Sequence, residues 1–251
     1  MSNIKIGFLL CAYNQEEFVD DCLENLVKFS KNGGHLISAV SVPFAEYKGV
    51  EVDVDSTTDI LRKRLLSGDI DSLTDSPAYI SEADARTKAL KPLLDCDFIW
   101  LIDSDEIYSC QQLNDIMNFV KNSEFIDWFR LSFKNYVGEG YLKEPFTPPR
   151  IFNTKTKNGK LSRFYYDNDV IYQTNNSEIN YQTMSSKLVP ASVAWIDHFS
   201  WTSTNKNKLK CGYQNKHFGH CSYKWEDGKG IVFDDDYYKK TGEIKPEIIY
   251  E

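Results

Sequence analysis

Apolar positions in the first hundred residues follow two alternating patterns. "IGFLL" within residues 4–10 and "FIWLI" at residues 98–102 have no polar position. Runs of that kind suit strands covered on both faces of a parallel sheet. Between them the apolar residues recur at helical spacing. Phe18, Val19, Cys22, Leu23, Leu26 and Val27 follow Asn14 and Glu17, which read as a capping box, and Asn-Gly-Gly at 32–34 ends the helix. "LISAVSVPF" (36–44) reads as a second strand.

Ser56 and Asp59 form a second expected capping box, ahead of Ile60, Leu61, Leu65 and Leu66, with Gly68 as the stop. Ser81 and Asp84 form a third, opening "EADARTKALKPLL", a helix that Pro92 shortens or kinks. "DFIWLID" (97–103) is then a strand, and a helix follows over about 110–121. Strands alternating with helices predict an α/β fold with a mostly parallel, doubly wound sheet.

The second half has a different pattern. "WFRLSF" (128–133), "RIFN" (150–153) and "SVAWIDHFSW" (192–201) read as strands among loops rich in Asn, Gly and Pro. A helix is expected at about 205–217, and "FDDDYY" (233–238) reads as solvated loop. No repeat or linker divides the chain. The expectation is one domain over residues 1–251, with halves 1–108 and 109–251.

Composition narrows the function. The 251 residues are 41% hydrophobic, enough for one sizeable core, and include 15 Tyr, 15 Phe and 5 Trp, which also line sugar and nucleotide sites. A net charge of −8 weighs against duplex nucleic acid as a partner. No window reaches about 18 apolar residues, and the first residues lack a cleavage site, so the chain reads as cytoplasmic. The six cysteines are dispersed without a CxxC pair and read as free thiols. Cys211, His217, His220 and Cys221 hold zinc-ligand residue types, but adjacent His220 and Cys221 fit tetrahedral geometry poorly.

Asp103, Asp105 and Glu106 end an apolar run. Ligands of open α/β sheets bind beyond the carboxyl ends of the strands. In extended chain Asp103 and Asp105 share a side, and two such carboxylates can hold Mg²⁺ or Mn²⁺ with substrate phosphates completing the shell. A solvated strand end is the plainer alternative. An EF-hand does not fit, since its fifth and sixth positions would be Ile107 and Tyr108.

The order of these features carries a resemblance. A strand followed by "CAYNQEEFVDDCLENL", then "SEADARTKAL", then "FIWLIDSDE" resembles the inverting, family-2-like glycosyltransferases of the GT-A fold. It covers residues 4–108 well and extends weakly to "HFSW" near 198, and Thr87 stands where that family has Asn. The resemblance implies a nucleotide-diphosphate sugar donor and Mn²⁺ or Mg²⁺. It implies that Ala12, Tyr13 and Asn14 border the nucleotide, that Arg86 approaches it, and that Asp103 contacts ribose or metal. Asp105 would bind the metal directly, and His198 would complete its shell, with His220 as second choice. A surface salt bridge to Glu82 is the plainer role for Arg86, and a backbone-bonded core residue the plainer role for His198. The acidic residue that often faces the base has Glu46 as its nearest counterpart here.

An inverting transfer needs a general base for the acceptor hydroxyl. Candidates are Asp127, Glu139 and Asp197. Glu139 is preferred, because it lies between two glycines in a loop. Residues 206–229 carry six lysines and two acids, a solvated helix face or a segment that closes on an anionic ligand. The expected activity is metal-dependent sugar transfer, hexosyltransferase in type, to a glycan, lipid, protein or modified-base acceptor. The alternatives are a non-catalytic carbohydrate-binding protein and a sugar nucleotidyltransferase. The latter would carry a Gly-rich loop after the first strand, which "CAYNQEE" lacks.

Overall fold

The computed structural model describes residues 4–12, 14–41, 55–75, 81–123, 125–166, 169–202, 222–226 and 230–250. The strands are β1 (Ile6–Ala12), β2 (Leu36–Ser41), β3 (Ser72–Asp75), β4 (Phe98–Asp103), β5 (Glu106–Ile107), β6 (Trp128–Val137), β7 (Gly140–Leu142), β8 (Pro149–Asn153) and β9 (Lys155–Thr156). They continue with β10 (Gly159–Tyr166), β11 (Asp169–Gln173), β12 (Glu178–Asn180), β13 (Ser186–Val189), β14 (Trp195–Trp201), β15 (Tyr223–Glu226), β16 (Gly230–Phe233) and β17 (Ile248–Tyr250). The helices are α1 (Val19–Gly33), α2 (Thr57–Leu66), α3 (Glu82–Leu90), α4 (Cys110–Lys121) and α5 (Asp235–Thr241).

The main sheet runs β17-β7-β6-β8-β4-β1-β2-β3, with β13 and β14 pairing β6 and β5 pairing β14. β1, β2, β3 and β4 are mutually parallel. Helices join them, and the strand order reverses between β1 and β4. These four strands are the parallel, helix-flanked α/β sheet that the sequence pattern predicts, and β8, β7 and β17 extend it with antiparallel pairings. Strands from both halves of the chain share the one sheet.

The continuous apolar runs are explained by two cores. Ile6, Phe8 and Leu10 of β1 pack with Val19, Cys22, Leu23 and Leu26 of α1 and with Leu113 and Ile116 of α4. Leu9 and Cys11 face the other way, onto Ala85 and Ala89 of α3 and onto Leu161, Phe164 and Tyr172 of the small β9–β12 sheet. A strand with both faces covered has no room for polar alternation.

Two of the three expected capping boxes are replaced by tertiary contacts. Asn14 is left-handed (φ 48°), and α1 opens at Phe18 without a side-chain cap. The turn after β1 is instead tied to the start of α2: Gln15 N donates to Thr57 Oγ1 (2.8 Å), Glu16 N to Asp55 Oδ2 (2.9 Å) and Ser56 N to Glu16 Oε2 (2.9 Å). The third holds on one side, where Ser81 Oγ accepts from Asp84 N. Pro92 falls in a 3₁₀ turn, Lys91–Leu93, directly after α3. Residues 235–241 are helix α5 where a loop was expected. α5 buries none of its residues, so no apolar period marks it, and Asp234 caps it through Asp236 N. The end of the second expected strand (42–44), the helix at 205–217, and the Cys211, His217, His220 and Cys221 group lie outside the described residues.

Candidate active site at the carboxyl ends of the strands

β8 is antiparallel to both β4 and β6, so β6 runs with β4, and β14, parallel to β6, runs with both. The carboxyl ends of β1, β4, β6 and β14 therefore share one edge, at the point where the strand order reverses. Cys11 pairs with Asp103 there, and Ser104 N donates to Cys11 O (3.0 Å). The chain leaves β4 at Asp103, turns, and forms β5, whose Glu106 pairs with His198. Asp103 and Asp105 are thus split by the turn and meet different partners.

Asp103 is gripped from both sides. Arg86 of α3 donates from Nη2 to Oδ1 (2.8 Å), and Arg150 of β8 donates from Nη2 to Oδ2 (2.9 Å). Burial opposes the charge on Asp103, but Arg150 and Arg86 outweigh it and hold the carboxyl below its usual range. Each oxygen keeps a further acceptor position. Arg86 is 2% exposed and also contacts Cys11 Sγ (3.2 Å) and the Glu82 carboxylate. It is therefore a buried link from Asp103 to α3, and the expected pair with Glu82 is present beneath it. Thr87 is also turned inward, accepting from Phe164 N (3.0 Å).

Among the described residues Cys11, Glu82 and Asp103 are close enough to share a metal ion. Arg86 already contacts all three. Burial pushes the Cys11 thiol up to about 12, so it is a protonated neighbour and a poor ligand.

Asp105 has the other set of partners. It is 2% exposed; Gln15 Nε2 donates to its Oδ2 (3.3 Å), and His198 Nε2 lies 3.7 Å from its Oδ1. Asn135 Oδ1, an acceptor, meets His198 Nδ1, which places a proton there and turns Nε2 toward the carboxylate. A neutral ring offers its Nε2 lone pair, beside Oδ1, to a cation, and a protonated ring forms an ion pair with Asp105. Adjacent ligands of an octahedral ion with bonds of about 2.1 Å are about 3.0 Å apart, and opposite ones about 4.2 Å. The observed 3.7 Å matches neither value, and adjacent ligation would need the two atoms to close by about 0.7 Å. Gln15 is 3% exposed, its Nε2 faces Asp105, and its buried Oε1 has no hydrogen-bond partner. A carboxylate suits Mn²⁺ or Mg²⁺, whereas an imidazole suits these ions less well.

Phe133 joins the two clusters. Its ring centroid is 5.5 Å from Arg150 Cζ and 5.4 Å from the His198 ring. Phe146 stacks on His198 at 6.2 Å and also packs on Phe133 at 6.4 Å.

Ala12 is the buried last residue of β1, and Asn14 shapes the turn beyond it. Tyr13, Glu46 and His220 lie outside the described residues. Of the base candidates, Asp127 is buried and accepts from Ser185 N and Oγ, which ties down a loop. Asp197 accepts from Tyr136 Oη (3.0 Å). Glu139, in the turn after β6, is exposed and lines a cleft of about 960 Å³. Its other described walls include Lys224, Phe233, Asp234, Lys245 and Tyr250. The Asp103 and Asp105 clusters are not among those walls, although β6 ends on the same edge of the sheet. The sequence reading missed Gln15, Glu106, Asn135 and Arg150. Glu106 stood in plain view beside Asp105, whereas Arg150 had no local signal.

No protein-family model matches the chain, and no curated protein matches it. Solved structures similar in part include S. aureus TarS residues 1–349 (19% identity, TM-score 0.43, 60% of this chain and 47% of that one). Mannosyltransferase PcManGT from Pyrobaculum calidifontis, in complex with GDP-Man and Mn²⁺, is 13% identical (TM-score 0.41, 59% and 44% of the two chains). The 4-diphosphocytidyl-2C-methyl-D-erythritolsynthase from Anaerococcus prevotii is 10% identical (TM-score 0.39, 61% and 72%). The chain spans less than half the length of the TarS structures it matches. Among the described residues no helix is long and apolar enough to cross a membrane.

Proposed function

We propose that this chain is a metal-dependent glycosyltransferase of the hexosyl-transferring type, moving a sugar from a nucleotide-diphosphate donor to an acceptor hydroxyl with inversion. The observation that carries the reading is the 3.7 Å approach of His198 Nε2 to buried Asp105 Oδ1, with Asn135 on the ring's other nitrogen. The site stands where open α/β sheets bind nucleotides.

In this reading Asp105, His198 and Gln15 hold Mn²⁺ or Mg²⁺. Neutralising the leaving diphosphate is the chemistry such an ion supplies when bound. Asp103 meets the donor from beside the metal, using the acceptor positions that Arg86 and Arg150 leave open. Ala12, Tyr13 and Asn14 border the nucleotide. Glu139, exposed in its cleft, takes the proton from the acceptor hydroxyl. Carboxylates and aromatic rings on the cleft walls suit a hydroxyl-rich acceptor.

A thermal-shift panel tests this. UDP, GDP, CDP and ADP are each added with and without Mn²⁺ to wild type and Asp105→Ala. A ligand at about 100 times its Kd adds about 2.7 kcal/mol, roughly 5 to 10 °C for a chain of this size. The expected result is a shift for one nucleotide that needs Mn²⁺ and is lost in Asp105→Ala. No shift with any nucleotide on folded protein would instead favour a carbohydrate-binding module.

A further inference from the structure

Arg150 is 2% exposed and Glu106 is fully buried. Arg150 sends Nε (2.8 Å) and Nη2 (2.6 Å) to Glu106 Oε1, and the same Nη2 to Asp103 Oδ2 (2.9 Å). Tyr108 Oη donates to the other oxygen of Glu106 (2.9 Å). The Phe133 ring lies against the guanidinium. Burying the Glu106 carboxylate and a guanidinium is costly, and apolar packing of similar volume is often as stable in a core. What it does supply is a fixed position for Asp103.

We infer that Arg150, anchored by Glu106, is a positioning residue: it clamps Asp103 from the β8 side, opposite Arg86, and so sets the donor-facing turn between β4 and β5. This rests on the glycosyltransferase reading for its consequence, and on the geometry alone for the clamp. β8 is inserted between β4 and β6 with Ile151 opposite Trp100, which brings Arg150 toward the carboxyl end of β4. The clamp therefore couples a strand of the second half to the acidic turn of the first. Its planar fork reaches two carboxylates at once, which a lysine does not do.

Two variants test it. Arg150→Lys keeps the charge and loses the fork. Arg150→Met combined with Glu106→Gln removes the clamp without leaving a buried carboxylate at 106, which guards against simple misfolding. Hydrogen exchange of peptides spanning residues 101–108 reports the clamp directly, with peptides of α1 as the internal control. Both variants should exchange at least 10-fold faster in that turn and as wild type in α1. Unchanged exchange in the turn would overturn the clamp. Calorimetric titration with the Mn²⁺ complexes of UDP, GDP, CDP and ADP reports the consequence. The complex that binds wild type should bind both variants at least 10-fold more weakly. Lysine restoring wild-type affinity would overturn the positioning role and leave only charge balance. A wild type that binds none of the four would overturn the glycosyltransferase reading and the positioning role with it, while the exchange result would still decide the clamp.

Discussion

His198 Nε2 lies 3.7 Å from Asp105 Oδ1, across the junction of β14 and the β4–β5 turn. The two residues are 93 positions apart, and each is buried. The pairing of β14 with β5 and β6 sets His198 opposite both Glu106 and Asn135. Asn135 holds the ring through Nδ1 and so sets the direction of Nε2.

Asn135 is accordingly worth testing apart from the ligands. Asn135→Leu removes the group that orients the ring and leaves Asp105 and His198 in place. Mn²⁺ affinity should fall about 10 to 100-fold, as for other outer-shell partners of metal-bound histidine. Calorimetric titration with Mn²⁺ measures it.

Gln15 offers a test in two states. Its buried Oε1 lacks a hydrogen-bond partner without a metal, and a buried unsatisfied group costs about 1 to 3 kcal/mol. Gln15→Met also takes the Nε2 donor away from buried Asp105, so it should lower the metal-free Tm and reduce the gain on adding Mn²⁺. A thermal melt in EDTA and one in Mn²⁺ give both numbers.

Gly7 lies where β1 passes under the turn after α3. A Cβ there would stand 2.8 Å from Leu93 Cβ and 3.2 Å from Cys96 Sγ. Gly7→Ala should destabilise by about 1 to 3 kcal/mol through overpacking, read from urea unfolding.

Asp69 governs part of the acid sensitivity. Hydrogen bonds from Lys31 of α1 and Arg64 of α2 hold its carboxyl down to about 2. Its folded pKa is below the unfolded value of 3.8, so its stabilisation is complete above about pH 4 and is lost as pH falls toward 2. Asp69→Asn should cost about 0.5 to 1 kcal/mol at pH 7 and flatten the fall in stability between pH 4 and 2. Urea midpoints measured across that range check it.

Much of this was legible in the sequence, for identifiable reasons. β1 and β4 announced themselves because both faces are covered, so no polar residue interrupts them. The acidic turn stood out because carboxylates at a strand end are chemically loud. The capping boxes at Asn14 and Ser56 misled because local spacing says nothing of Thr57 and Asp55 taking the same backbone donors. α5 escaped because it buries no residue. Arg150 escaped for a deeper reason: its role depends on β8 entering the sheet between β4 and β6, a register fixed by contacts about fifty residues away in sequence.

The central claim is that Asp105 and His198 together hold a divalent ion. Electron paramagnetic resonance of Mn²⁺ titrated into wild type, Asp105→Asn and His198→Ala tests it most directly, since free Mn²⁺ gives a signal that binding suppresses. One bound ion in wild type, with affinity lowered at least 10-fold in each variant at unchanged fold, is the predicted result. Equal Mn²⁺ binding in all three proteins, or none in wild type, would contradict it.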